Sequence, residues 1–283
     1  MSASDRVAVV TGSSTGIGRA CALALDRRGF TVFAGVRKQA DADSLRAEAS
    51  ERLEPLTVDV TDADSIAGAA ERVRDATGGR LTGLVNNAGI VVPGPVEGVD
   101  LDELRRQLEV NVVGQVAVTQ AFLPLIRAAR GRVVLMSSVG GRNALPQLSP
   151  YHASKFAIEA IGDSLRQEMR PFGVEVSIIE PGAIATPFWG KGKAEAPKAR
   201  AAMDPEVLAL YSDELDAIER ASERTEARGA PPSNVAEAVV EALTSRRPRT
   251  RYLVGTDAKI QARLGKLLPD RAMDRLVRWE MHR

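Results

Sequence analysis

The 283-residue sequence predicts an α/β fold, and three observations carry that prediction. First, the apolar run Val7-Ala8-Val9-Val10 passes through the turn Thr11-Gly12-Ser13-Ser14-Thr15-Gly16-Ile17-Gly18 into a helical stretch that stops at Gly29. Second, short apolar runs and amphipathic stretches alternate along most of the chain, as strands and crossover helices do. Third, small, amide and hydroxyl residues gather where those runs end, at Asn86-Asn87-Ala88-Gly89, at Ser138 and at Glu180-Pro181-Gly182. The carboxyl ends of strands are where open α/β sheets hold their ligands.

The first strand is expected over 7–10 and the first helix over 19–28. Between them, Gly12 permits a tight turn, Gly16 lets the backbone approach a pyrophosphate, and Gly18 lets helix pack on strand. The helix N-terminus offers free N–H groups and a positive dipole end to phosphates. The spacing is G-x-x-x-G-x-G rather than the commoner G-x-G-x-x-G. A second strand, 31–36, runs into Arg37 and Lys38. An acidic residue at its end would bind an adenine ribose 2′-hydroxyl. The guanidinium of Arg37 suits a 2′-phosphate instead, which favours NADP(H), with NAD(H) as the alternative. A helix over 42–51 leads to a strand over 56–58 that ends in Asp59-Val60. Thr61 is expected to cap a helix to 76, with Asp62 and Asp64 in its first turn. A fourth strand, 81–85, is closed by Asn86-Asn87-Ala88-Gly89, residues that can lie beside a cofactor while pinning the neighbouring turn.

Residues 101–130 read as one long helix with apolar spacing at Leu104, Leu108, Val112 and Val116. Asn111 is a poor residue for a helix interior and implies a local backbone bond or a function. Pro124 is expected to kink or end the main stretch. The fifth strand covers 131–138, and the loop 139–148 is expected to wall a pocket. A helix over 149–169 follows, with Ser149 as N-cap, Pro150 in its first turn, and Phe156, Ile158, Ile161 and Leu165 for packing. The sixth strand is 174–179, closed by Glu180-Pro181-Gly182-Ala183-Ile184-Ala185-Thr186. The rhythm then breaks over 187–230, where Phe188, Trp189, Leu208, Tyr211, Leu215 and Ile218 supply most of the apolar bulk. Such an insertion suits a substrate lid, with Phe188, Trp189 and Tyr211 as candidate substrate contacts, although the same stripe could simply dock on the core. A helix from Asn234, a strand over 252–254 and a helical extension over 256–283, broken at Pro269, complete a single domain.

Bulk properties narrow the function classes. Thirty-eight basic against 37 acidic residues give no field that points to nucleic acid. From Arg246 onward the net charge is +7, which reads as a solvated face or as cross-subunit ion pairs, with a membrane surface or an acidic partner as the alternatives. Cys21 is the single cysteine, so no intrachain disulfide forms and a reducing cytoplasm is expected. His152 and His282 lie far apart, so no metal constellation is expected. The first six residues lack a signal peptide's apolar core, and no run of about 18 apolar residues suggests a membrane span.

The chemistry centres on Ser149-Pro150-Tyr151-His152-Ala153-Ser154-Lys155, with Ser138 upstream. A helix there puts Tyr151 and Lys155 one turn apart on one face. A nearby ammonium favours phenolate and is expected to lower the tyrosine from its reference pKa of about 10, so that it exchanges a proton with a substrate oxygen near neutrality. Ser138 would present its hydroxyl at a strand's carboxyl end.

These residues together resemble the short-chain dehydrogenases/reductases over about residues 6–255. The turn at Gly12, Gly16 and Gly18 looks like the family's cofactor turn, and Asn86-Asn87-Ala88-Gly89 like its sheet-stabilising motif. Asn111, Ser138, Tyr151 and Lys155 match its catalytic tetrad, and Pro181-Gly182 with Thr186 its nicotinamide-side loop. The stretch 155–166 with Ile179-Glu180-Pro181-Gly182 looks more like the retinol and hydroxysteroid dehydrogenase branch. The resemblance implies a doubly wound parallel sheet (a Rossmann fold) of about seven strands in the order 3-2-1-4-5-6-7. It implies a cofactor site at Gly12, Ser14, Thr15, Gly16, Ile17 and Gly18, at Arg37, Asp59 and Val60, and at Asn87, Ala88 and Gly89. Tyr151, Lys155, Pro181, Gly182, Ile184 and Thr186 complete that site. Tyr151 is then the acid/base, Lys155 its modulator and a ribose ligand, Ser138 a hydrogen-bond partner of the substrate oxygen, and Asn111 the holder of a relay water. The implied activity is hydride transfer between NADP(H) and an apolar secondary alcohol or ketone. A 3-oxoacyl thioester reductase and a non-catalytic dinucleotide sensor or scaffold are the alternatives. Family members pair on the 101–130 and 149–169 helices, so a homodimer or homotetramer is implied.

Overall fold

Seven parallel strands form one sheet in the order β3-β2-β1-β4-β5-β6-β7, as the resemblance implied. They are β1 (Val7–Val10), β2 (Thr31–Val36), β3 (Leu53–Thr57), β4 (Gly83–Asn86), β5 (Arg132–Met136), β6 (Glu175–Pro181) and β7 (Arg251–Val254). The computed structural model describes residues 6–187 and 196–281. Because β1 pairs with both β2 and β4, the chain switches direction there, and a crevice opens at the carboxyl ends of β1 and β4.

Alternation along β1 feeds two cores. Ala8 and Val10 pack with Cys21, Ala22 and Leu25 of α1 (Gly16–Arg27) and with Val235, Ala236, Val239 and Val240 of α8 (Pro232–Thr244). Val9 joins Phe33, Leu84, Val133 and the helices of the opposite face. With both faces covered, the central strands read as unbroken apolar runs. Each fully buried Leu25, Phe33 or Phe122 contributes roughly 1.5–3 kcal/mol. Cys21 lies wholly inside the first core, where burial pushes its thiol up to about 12, so it is an inert packing group.

Several boundaries differ from the sequence reading. β3 begins at Leu53 and includes Pro55, which an edge strand tolerates because one side of its ladder is unpaired. α2 (Gln39–Arg46) starts and ends earlier than expected. α3 (Ala63–Thr77) is capped by Asp62, whose Oδ1 accepts from the N–H groups of Asp64 at 2.9 Å and Ser65 at 3.0 Å, while Thr61 turns to Asp59. α6 (Ser149–Met169) has Leu148 at its N-cap position, so Ser149 is its first residue. Phe156 is not a packing residue; it points outward and is 45% exposed, while Ile158 and Leu165 are buried.

The long helix departs most. It consists of α4 (Leu101–Leu108), a π-helical turn over Glu109–Val113, and α5 (Gly114–Ala129). The irregularity falls at Asn111, not at Pro124, which α5 passes without a break. Pro124 and Gln120 both face solvent, so the carbonyl that Pro124 leaves unbonded can take water. The apolar positions Leu104, Leu108, Val112 and Val116 are only half-buried. The buried stripe is polar: Gln107, Asn111, Gln115 and Thr119, at four-residue steps. By length and composition, Leu101–Ala129 is long and apolar enough to cross a membrane, which the sequence reading had not registered. Here its Val118, Phe122, Leu125 and Ile126 pack into the second core.

In the 187–230 insertion, α7 (Pro205–Arg228) buries Leu215 and half-buries Leu208 and Ile218. It rests against the C-terminal α10 (Asp270–Met281), which follows α9 (Thr256–Leu267) after the expected break at Pro269. The Tyr211 hydroxyl bonds the Glu97 carboxylate at 2.9 Å, and the Met203 side chain lies where a Cβ on Gly98 would come within 2.7 Å. Phe188 and Trp189 lie outside the described residues.

Candidate active site

The glycine turn is built by close backbone approach. Gly12 and Gly16 adopt φ of 68° and 58°, the left-handed region that favours glycine. A Cβ on Gly12 would sit 2.8 Å from the Ala88 Cα, and one on Gly18 would overlap the Gly12 carbonyl and the Asn87 amide. Asn87 donates to the carbonyls of Thr11 (3.0 Å) and Gly12 (3.2 Å), and Thr11 Oγ1 accepts from the N–H groups of Asn87 and Ala88. Thus Asn87 and Ala88 clamp the turn, with Ser13 held by Gly35, Thr15 at the N-cap of α1, and Ile17 in its first turn. Thr186 covers Gly16, its Cβ 3.3 Å from where a Gly16 Cβ would be. A glycine cradle that no side chain can enter, beside a helix N-terminus, fits an NAD(P) pyrophosphate.

At the adenosine side, the mostly exposed Arg37 guanidinium lies 3.8 Å from Asp59. Partial burial raises the Asp59 carboxyl, but hydrogen bonds from Thr61 and the Arg37 charge outweigh it and hold the group below its ordinary value. Val60 packs on Gly114, where any Cβ would strike the Val60 carbonyl. Gly89 lies against the Asn111 amide, 3.3 Å from its Oδ1 at the Cβ position. On the opposite side, Gly182 and Ala183 wrap the Asp257 carboxylate, which accepts from Ala183 N–H at 2.6 Å. Ile184 is buried and pairs with Ala230 across the insertion.

Ser138, Tyr151 and Lys155 come together at the ends of β5 and β6. The hydroxyls of Ser138 and Tyr151 are hydrogen-bonded to one another. Ser138 Oγ also accepts from Gly140 N–H at 3.0 Å and lies 3.4 Å from the Pro181 carbonyl. Lys155 Nζ donates to the Met136 carbonyl at 2.8 Å and lies 5.6 Å from the Tyr151 ring centroid. The expected net lowering of the phenol is not met: burial raises Tyr151 overall, and the opposing pull comes from Ser138. The physical reason is that the ammonium is turned to Met136 and is itself desolvated, its pKa lowered to about 8. Asn111 joins the group indirectly. Its amide accepts from Ile90 N–H (2.8 Å) and donates to the Ile90 carbonyl (3.1 Å) and to Ser154 Oγ (3.1 Å). Ser154 in turn donates to the Tyr151 carbonyl at 2.6 Å.

Residues without an assigned role in the sequence reading complete the surroundings. His152 packs edge-on to Tyr151 at 5.6 Å and places Nδ1 2.8 Å from the Gly140 carbonyl. Burial holds its imidazole below the ordinary value. Gln107 bonds Val92 N–H and the Ile90 carbonyl, and Gln115 the Ala88 carbonyl, so the polar stripe of the long helix secures the segment after β4. Glu180, with no exposed side-chain surface, forms a two-point pair with Arg142 at 2.6 and 2.8 Å and touches Arg251 at 3.2 Å. A charge closing the strand stretch Val176-Ser177-Ile178-Ile179 was the available signal for this pair. Among the described residues, no group of three or more metal-ligating side chains occurs.

Comparison with known proteins fits this geometry. The family model described as short chain dehydrogenase matches residues 6–196. Retinol dehydrogenase 5 of Mus musculus is 40% identical, covering 99% of this chain and 90% of that protein. The NADPH-dependent 3-dehydrocapnine reductase of Ornithobacterium rhinotracheale is 37% identical, over 96% of this chain and 95% of that one. A crystal structure of a short-chain dehydrogenase from Streptomyces avermitilis superposes with a TM-score of 0.78 at 32% identity, covering 99% of this chain and 97% of that chain.

Proposed function

The chain belongs to the short-chain dehydrogenase/reductase family of NAD(P)-dependent oxidoreductases, and on that premise we propose that it interconverts an apolar secondary alcohol and its ketone, with a preference for NADP(H). The observation that carries the reading is the meeting of the Ser138 and Tyr151 hydroxyls beside the Pro181 carbonyl, at the sheet edge that also bears the glycine cradle. The cofactor supplies or accepts the hydride. Ser138 and Tyr151 hold the substrate oxygen, and Tyr151 gives it a proton in reduction or takes one in oxidation. Burial keeps the phenol in its proton-donating form at neutral pH, so ketone reduction suits neutrality and alcohol oxidation gains as pH rises. Lys155 supplies a positive charge behind the tyrosine, and Asn111 fixes the start of α6 through Ser154.

Arg37 supports the cofactor preference, with Val36 where an acidic residue would select NAD(H). One relative is named for NADPH. Losing a charge-assisted hydrogen bond costs roughly 1.5–3 kcal/mol, about 10- to 150-fold in affinity. Arg37→Ala is therefore expected to weaken NADPH by that factor and to leave NADH almost unchanged, as read by nicotinamide fluorescence. Equal wild-type affinity for both cofactors would refute the preference.

Relatives named for retinol support an apolar substrate. A 3-ketoacyl-(acyl-carrier-protein) reductase from Brucella melitensis shares the fold at a TM-score of 0.74, but at 23% identity that likeness concerns the fold alone. Retinoids, steroids and acetoacetyl thioesters, each offered with NADPH and NADH, separate the readings. Turnover of the thioesters alone would replace the apolar-ketone assignment.

The same reading includes self-association through the long helix and α6. Leu101, Val113 and Phe156 are 59%, 50% and 45% exposed there, beside the half-buried Leu104, Leu108, Val112 and Val116. Light scattering at micromolar concentration is expected to show a dimer or tetramer, and a monomer would overturn the assignment.

A further inference from the structure

On α6, Tyr151, Lys155, Glu159 and Asp163 follow one another at four-residue steps, so they form one ridge along the helix. Tyr151 and Lys155 belong to the site already described. Glu159 is buried, and its Oε2 meets Arg251 Nε at 3.0 Å. Arg251 also reaches Asp163 at 2.7 Å and Glu180 at 3.2 Å, and Arg142 is paired with Glu180. Gly141 closes the gap between these groups: a Cβ there would lie 2.8 Å from Ser137 Oγ and 3.0 Å from both Glu159 Cγ and the Lys155 carbonyl oxygen.

Charge balance in this cluster is tight. Lys155, Arg142 and Arg251 face Glu159, Glu180 and Asp163. Both guanidiniums have carboxylate partners. Lys155 has no salt bridge among the described residues; its ammonium is bonded to the neutral Met136 carbonyl. A buried ammonium without a nearby negative charge sheds its proton, whereas a guanidinium keeps its own. Loss of the Glu159 charge therefore falls on Lys155.

We propose that Glu159 is a positioning residue for the reaction, its carboxylate being the counter-charge that keeps the buried Lys155 ammonium protonated. The proposal rests on the role given to Lys155 above. The groups facing Glu159 are Lys155 and Asp163 on its own helix, Ser137 after β5, Glu180 on β6, Arg251 on β7, and Arg142 in the loop after Ser138. The Glu159 charge acts to raise the Lys155 proton affinity against the effect of burial, so its removal moves the lysine titration toward lower pH.

The test compares the wild type with Glu159→Gln and Asp163→Asn in two measurements. One is the pH profile of ketone reduction at saturating NADPH. The other is competitive acetylation of the cofactor-free protein by acetic anhydride, with the Lys155 peptide followed by mass spectrometry across the same pH range. In Glu159→Gln, both the alkaline limb of the rate and the Lys155 labelling midpoint are expected to fall by about one unit. Asp163→Asn, which removes a different partner of Arg251, is expected to leave both near wild type. Should Glu159→Gln fail to bind cofactor, Glu159→Asp, with its charge carried on a shorter arm, reads the same coupling as a smaller fall. A labelling midpoint that stays in place overturns the proposal. A midpoint that falls while the rate profile stays unchanged also overturns it, and that failure lies in the role assigned to Lys155 rather than in the coupling.

Discussion

Replacing Tyr151 with phenylalanine is expected to lower kcat for ketone reduction by about 10²- to 10⁴-fold, the range that a positioned proton donor contributes. The substitution removes one oxygen. The ring keeps its edge-on packing against His152, and Lys155 keeps its bond to the Met136 carbonyl. Ser138 retains the Gly140 N–H as a partner, so its hydroxyl stays at the end of β5. What disappears is the group that exchanges a proton with the substrate oxygen. Cofactor affinity is expected to stay near wild type, because the glycine turn and its Asn87 clamp are untouched. Steady-state rates combined with a fluorescence titration of NADPH check both halves of this result. Turnover that survives the substitution would place the acid/base elsewhere.

The largest loss of stability is expected from Glu180→Ala. Glu180 has no exposed side-chain surface, and it meets Arg142 through two hydrogen bonds and Arg251 through a third contact. Truncation leaves the partly buried Arg142 guanidinium with no salt-bridge partner among the described residues, and removing one member of a buried pair costs about 3–5 kcal/mol. At roughly 2–4 °C per kcal/mol for a chain of this size class, the melting temperature should fall by about 6–20 °C. The exposed pair Arg28–Glu237 is the control, since Glu237→Ala should cost less than about 1 kcal/mol. Thermal unfolding followed by circular dichroism measures both. Similar small losses in the two variants would show that the Glu180 pair is no more stabilising than a surface contact.

Much of the site could be read from local sequence because local chemistry dictates it. A strand, a turn whose glycines take positive φ, and a helix N-terminus lie within about a dozen residues, and no distant residue is needed to recognise them. Tyr151 and Lys155 share a helix face by spacing alone, and Ser138 follows an apolar strand. The strand order was reached by resemblance, since pairing partners such as Val10 and Ala34 are far apart in sequence.

What the sequence by itself determined about this protein is the set of elements and the short-range geometry of its chemical groups: seven strands, the glycine turn, and the Tyr151–Lys155 step. Only the tertiary structure decided which polar groups would be buried. The long helix has an apolar stripe through Leu104 and Leu108, yet it turns Gln107, Asn111, Gln115 and Thr119 inward. The reason is that residues 87–92 leave the sheet after β4, and their backbone groups need partners that side-chain amides provide. Likewise, nothing near Glu159 in the sequence announces Arg251, 92 positions away, which arrives only because β7 pairs with β6. Burial sets the sign of the Tyr151 and Lys155 shifts, and burial depends on every element packed around them.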